Sequence, residues 1–313
     1  MSQQPRRPLV LGTRASKLAL QQSRWVAEQM MRLNPGLHVE LKEIRTSGDK
    51  ILDVPLAKIG GKGLFVKEIE DALLTREIDL AVHSMKDVPT HLPDGLDIVC
   101  VPQREDPRDA LVARDVKRLE DLSRGAKLGT SSLRRQAQLL HRRPDLVIEM
   151  LRGNLDTRLR KLRDGLYDGI VLAAAGLKRL GWQDHVTQYL PIEVSLPAIG
   201  QGALGIEARK DDAWVASVLE GLEDSTARAA VTAERALLHR LEGGCQVPIA
   251  AHASIQGDRL QLMALVGRVD GSLLVQDQSE GPPSSASRIG TDLAERLLRH
   301  GAREILDEIY GRT

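Results

Sequence analysis

Through the first two thirds of the chain, short apolar runs alternate with stretches whose apolar residues recur every three or four positions. Residues 9–13, LVLGT, form a continuous apolar run that predicts a short buried strand. The run leads into 16–33, where Leu18, Trp25, Val26 and Met30 mark one face of a helix, ended by Asn34-Pro35-Gly36. Residues 38–44 predict the next strand, 65–75 a helix, 80–82 a buried strand opening into HSMKDVP, and 98–101 a further strand. Strands alternating with helices predict parallel β-α-β units with helices on both sheet faces.

A second block begins near residues 104–108 and repeats the first. LGTRASKLALQ at 11–21 and LGTSSLRRQAQL at 128–139 both read as strand, Gly-Thr turn, N-cap serine and amphipathic helix. Strand 146–151, helix 155–163 and strand 169–173 follow, then the glycine-rich AIGQGALGIEAR and a helix at 212–222. From Thr226 the pattern changes: helix 226–240, three strand-like runs at 250–255, 260–269 and 272–278, and a final helix at 287–309. Short turns between those runs predict an antiparallel sheet packed on helices. The expected fold is therefore α/β, with two similar doubly wound lobes and a small α+β C-terminal domain. The boundaries are 1–102 with 201–222, then 103–200, then 223–313.

Composition narrows the partners. The formal net charge is +1, and three Trp, three Tyr and one Phe are the only aromatics, so neither a polyanion-coating surface nor a base-stacking platform is expected. Two cysteines, Cys100 and Cys245, give no disulfide framework and no metal-ligand spacing, which fits a reducing compartment. No run approaches the ~20 apolar residues that span a bilayer. The amino-terminal apolar run is too short for a signal peptide. A cytoplasmic, monomeric protein without metal is expected.

Charge placement then matters more than total charge. Open α/β sheets bind ligands at the carboxyl ends of their strands. There the chain puts Arg14 and Ser16; Ser84, Lys86 and Asp87; Thr130, Ser131, Ser132, Arg134 and Arg135; Arg152 and Arg158; Lys178 and Arg179. Phosphate-loop signatures are missing from these junctions, so several carboxylates are the better ligand. Asp87 is the one acid in this basic edge: either a counter-ion or a fixed charge that stabilises a developing cation. His83, late in an apolar strand, reads as a packed histidine. Lys58 and Lys62, in the glycine-rich stretch 49–63, read as a basic flap or a plain surface loop. LEGGCQVPIA at 241–250 sets Cys245 on a short stiff loop, either as a small hydrophobe or as an attachment thiol.

HSMKDVPT, GTSSLRRQ, LRGNLDTRL, AGLKRLG, PAIGQGALGIE and LEGGCQVPI occur in this order, and together they resemble the porphobilinogen deaminases (hydroxymethylbilane synthases) from about residue 9 to 310. The resemblance implies a three-domain transferase of tetrapyrrole (porphyrin, haem) biosynthesis. Such an enzyme joins four porphobilinogen molecules head to tail with loss of ammonia and releases hydroxymethylbilane. It also implies a dipyrromethane cofactor on a thioether to Cys245, with Asp87 as the catalytic carboxylate. Lys86, Thr130, Ser131, Ser132, Arg134, Arg135 and Arg158 would hold the cofactor. Arg14, Ser16, Gln22, Arg152 and Arg179 would hold incoming substrate. Family members often read TRGD where this chain has Thr46-Ser47-Gly48-Asp49, so no anion contact is assigned to Ser47. The competing class is a solute-binding module with two similar lobes, in which a displayed thiol has no role.

Overall fold

The computed structural model describes residues 7–47, 66–243 and 247–311. Its strands are β1 (Leu9–Arg14), β2 (Val39–Ile44), β3 (Leu80–Ser84), β4 (Leu96–Cys100), β5 (Asp109–Ala113), β6 (Lys127–Gly129), β7 (Val147–Glu149), β8 (Gly169–Ala173), β9 (Gln188–Tyr189), β10 (Leu204–Arg209), β11 (Ile249–Gln256), β12 (Arg259–Gly267) and β13 (Leu274–Gly281). Its helices are α1 (Lys17–Leu33), α2 (Lys67–Leu74), α3 (Leu133–Arg142), α4 (Leu155–Arg163), α5 (Ala174–Arg179), α6 (Ala213–Leu219), α7 (Ser225–Arg240), α8 (Ala286–Leu297) and α9 (Arg303–Tyr310). These residues divide into two compact units: 7–47, 66–104 and 203–228 in one; 105–202, 229–243 and 247–311 in the other.

The first unit is built on a sheet of order β2-β1-β3-β10-β4. β1 runs parallel to β2 and β3, as the β-α-β pattern predicts, but β10 runs antiparallel to β3 and β4. β10 returns to this sheet only after residues 105–202, which belong to the other unit, so no local β-α-β connection sets its direction. Leu9, Leu11, Val26, Met30, Leu80 and Ile206 fill one face of this sheet, all fully buried.

The second unit holds a sheet of order β7-β6-β8-β5-β9 and the three-stranded β11-β12-β13. β5 was not expected from the sequence, because its first residue is an aspartate at the end of the charged run REDPRD. It is nonetheless buried at every position. The duplication is real at the strand–helix junctions. Ser16 caps α1 by accepting from the Ala19 N–H, and Ser132 caps α3 by accepting from the Arg135 N–H. α3 also packs on the C-terminal sheet, with His141 Nδ1 2.8 Å from the Gly271 carbonyl. The single terminal helix expected at 287–309 is interrupted at Leu298–Ala302, where Gly301 takes φ 105°, a conformation that favours glycine. No described helix is long and apolar enough to cross a membrane.

Candidate active site

In the first unit the carboxyl end of β3 passes directly into a 3₁₀ turn, Met85–Asp87. The turn is closed by the Val88 N–H donating to the Met85 carbonyl at 3.1 Å. It is tied to the residue before β10 by the Met85 N–H donating to Ala203 O at 3.0 Å. Asp87 projects from this turn half-buried, and its carboxylate makes no hydrogen bond or ion pair among the described residues. Counter-ions are normally paired, and this carboxylate has no partner among the described residues, which favours a fixed charge over a counter-ion. Lys86, half-buried, precedes it, and half-buried Arg14 ends β1 in the same sheet. Gln22 is 4% exposed and its amide donates to Ser84 Oγ at 3.0 Å, so it braces the strand end that leads to Asp87. Ser47 donates from both N and Oγ to Glu68 Oε1.

Under the same strand lies Glu70 of α2, buried, with its carboxyl pushed up to about 7 by burial first and by the charge of Glu207 second. Between about 4.5 and 7 the folded chain keeps a proton that the unfolded chain has released, so this group lowers stability as pH rises through that window. Above 7 the penalty is constant. Glu70→Gln is expected to raise Tm relative to the parent at pH 8, by several degrees, and to leave it unchanged near pH 4.5. Thermal unfolding of both proteins across pH 4.5–8 checks this, and parallel curves would refute it.

In the second unit the residues after β6 form the corresponding edge. Thr130 is 4% exposed and accepts from the Ser132 N–H at 3.2 Å, while Ser131, exposed, donates from Oγ to the Leu151 carbonyl at 2.6 Å. Arg134 and Arg135 do not extend outward as a sequence reading implies. Both are buried around Asp109, which opens β5 and is 0% exposed. Arg135 donates to Asp109 Oδ1 from Nε at 3.0 Å and from a terminal nitrogen at 2.7 Å, and also to Val171 O. Arg134 lies 2.9 Å from Asp109 Oδ2 and donates to Leu196 O at 2.5 Å. Ser195 and Gln201 donate to the same carboxylate at 2.7 and 2.9 Å. Burial opposes the ionised form of Asp109, but the two guanidiniums outweigh it and hold its carboxyl far below the usual range. Nothing local marks Asp109, because its side-chain partners lie 25 to 92 residues away along the chain.

Arg152 and Arg158, half-buried, lie on the turn before α4 and within it; Arg158 Nε donates to the Gly153 carbonyl at 2.8 Å. Arg179 ends α5 and donates to the Gly202 carbonyl at 2.7 Å; burial draws its guanidinium down to about 10. Lys178 does not join a basic surface, because it pairs with Glu105 and Asp106, both at 3.2 Å.

Cys245, Lys58 and Lys62 fall outside the described residues. The flanks of the cysteine loop are described and are firmly seated. Leu241, Val247 and Ile249 are buried in the core shared by α7, α8 and the C-terminal sheet. Glu242 takes φ 53°, and its carbonyl accepts from Tyr310 Oη at 2.8 Å. Cys100 is 1% exposed, and burial pushes its thiol up to about 12, so it is inert as a nucleophile.

The second edge fits a polycarboxylate such as dipyrromethane by the chemistry of its donors. Two buried guanidiniums share one carboxylate, which leaves an excess positive charge, and Arg134 Nε is buried without a partner. That charge lies in the first turn of α3, whose amide end adds to an anion's stabilisation.

The family comparison agrees with this chemistry. Residues 9–217 match the family model "Porphobilinogen deaminase, dipyromethane cofactor binding domain", and residues 228–299 match "Porphobilinogen deaminase, C-terminal domain". The chain is 57% identical over 304 residues to the porphobilinogen deaminase of Geobacter metallireducens, covering 97% of this chain and 95% of that one. It is 58% identical over 298 residues to that of Syntrophotalea carbinolica, covering 95% of each. It is 55% identical over 308 residues to that of Pelobacter propionicus, covering 98% and 99%. Among solved structures, it is similar to the periplasmic aliphatic sulphonate binding protein SsuA from Escherichia coli. That likeness has a TM-score of 0.41 and 14% identity, covering 76% of this chain and 71% of that one. The chain belongs to the porphobilinogen deaminase family.

Proposed function

We propose that Asp87 is the carboxylate around which this chain carries out its family's reaction. That reaction is the head-to-tail condensation of four porphobilinogen molecules with loss of ammonia, ending in release of hydroxymethylbilane. The observation that carries the assignment is the half-buried Asp87 carboxylate, without a partner among the described residues, on the turn after β3. Loss of ammonia leaves an electron-poor azafulvene, cationic when protonated. A fixed carboxylate stabilises such a charge, because it has no counter-ion to give up first. Asp87 also accepts pyrrole N–H donors and takes part in moving the proton to the departing amine.

A bound dipyrromethane would supply the free pyrrole carbon to which the first porphobilinogen unit is joined, each joined ring then supplying that carbon for the next. Thr130, Ser131, Ser132, Lys86 and Arg158 would hold its carboxylates, with Arg134 and Arg135 acting as buried positive charge beneath them. Cys245 is the attachment thiol. Arg14, Ser16, Arg152 and Arg179 would bind the acetate and propionate arms of incoming porphobilinogen, and Gln22 would act through Ser84. The three-domain division at 102, 200 and 222, the cytoplasmic setting and a metal-free monomer complete the proposal.

The reading is tested by adding porphobilinogen to the purified protein and to Arg14→Leu, following ammonia release and intact mass. The parent should release ammonia and hydroxymethylbilane from a chain carrying two pyrrole units. Arg14→Leu should carry the same two units and elongate poorly. Absence of ammonia release by the loaded parent would overturn the assignment.

A further inference from the structure

Beneath the Asp87 turn lies a group of buried titratable side chains that this reaction does not use. His83 and Glu207 are 5% and 1% exposed, and Nε2 of one lies 2.8 Å from Oε2 of the other. Neither Glu207 Oε1 nor His83 Nε2 makes an aligned hydrogen bond among the described residues, so the two side chains meet as a close buried polar contact. Glu70 of α2 lies near enough for both charges to act on its carboxyl. The surrounding packing is apolar, with Ile69, Leu73, Ile78 and Ala81. Apolar residues of similar volume usually stabilise such a place as well as a buried ion pair or better, so stability alone does not account for it.

The position of the pair does account for it. His83 stands four residues before Asp87, opposite Gly205 of β10, and the next partners are Ser84 and Leu204. One residue further, the Met85 N–H donates to Ala203 O. Gly205 packs against this turn: a Cβ there would lie 2.6 Å from Met85 Cε and displace that flexible methyl. β10 therefore fixes where the Asp87 turn stands, and Glu207–His83 is the buried polar side-chain contact bridging β10 to β3 just behind it.

We propose that Glu207 is a positioning residue for the condensation: paired with His83, it pins the β3–β10 register at the strand end that carries Asp87. A buried polar pair setting register is the best-attested use of such a costly arrangement. The inference rests on the Asp87 reading above.

Two variants test it: Glu207→Gln, and the double variant His83→Leu with Glu207→Leu. Both are measured for Tm, intact mass, kcat and KM. Displacement of a catalytic group by about an ångström costs on the order of 100-fold. Glu207→Gln is therefore expected to keep its two pyrrole units and its KM, because Arg14 and Arg152 lie on other elements, and to lose about 10- to 100-fold in kcat. The double variant should recover or exceed the parent Tm while kcat stays depressed.

A kcat within twofold of the parent in loaded Glu207→Gln would overturn the proposal. So would recovery of kcat together with Tm in the double variant, the result of a purely structural role. If Glu207→Gln does not fold, the double variant decides alone by the same criterion. An active Asp87→Asn enzyme would remove the underlying Asp87 reading instead. An inactive Asp87→Asn beside a fully active Glu207→Gln would remove only this inference.

Discussion

Asp87→Asn is expected to fold, to carry two pyrrole units if these are supplied preassembled, and to lose nearly all turnover. Asparagine matches aspartate in shape, and the turn's backbone bonds, Val88 N–H to Met85 O and Met85 N–H to Ala203 O, do not involve the side chain. What disappears is one negative charge. In the parent that charge is half-buried and has no ion-pair partner among the described residues, so its field acts on whatever cation forms beside it. Losing a preorganised electrostatic stabiliser of this kind costs about 3–4 kcal/mol of barrier, roughly 100- to 1000-fold in rate. Porphobilinogen consumption measured beside the circular dichroism spectrum checks the expectation. Turnover near the parent's with an intact spectrum would return Asp87 to a structural role.

Cys245→Ser is expected to abolish the covalent adduct altogether, and activity with it. The electrophile left by loss of ammonia is soft, and a thiolate is the protein nucleophile best matched to it. A serine hydroxyl stays almost wholly protonated near neutral pH. The alternative thiol is closed off physically: Cys100 is buried in β4 with its thiol pushed up to about 12. Cys100→Ser should therefore keep the adduct and lose only packing. The segment around Cys245 is anchored on both sides by Leu241 and Val247, so the substitution leaves the C-terminal core in place. A lower Tm is expected all the same. Asp109 alone then offsets Arg134 and Arg135, and their surplus positive charge, no longer met by the adduct's carboxylates, destabilises the fold. Peptide mapping distinguishes the outcomes, and an adduct on the Cys100 peptide would defeat the assignment.

Local pattern determined much of this protein from the sequence alone. The N-cap serines Ser16 and Ser132, the buried runs of β1, β3 and β8, and the hairpins β11–β12–β13 depend on residues near one another in the chain, so periodicity and capping chemistry reveal them. The basic strand ends and Asp87 were legible for the same reason, since each follows an apolar run directly.

Tertiary structure alone decided the rest. The antiparallel insertion of β10 between β3 and β4 depends on where the chain returns after a whole second block, and no local signal carries that. The burial of Arg134 and Arg135 depends on Asp109, and that of Glu207 on His83, partners that lie far apart in sequence. A charged residue reads as surface until its counter-charge is known, because burying it without a partner costs several kcal/mol and a partner offsets much of that cost. Composition and spacing placed these charges on the chain, and only the fold showed which of them lie inside it.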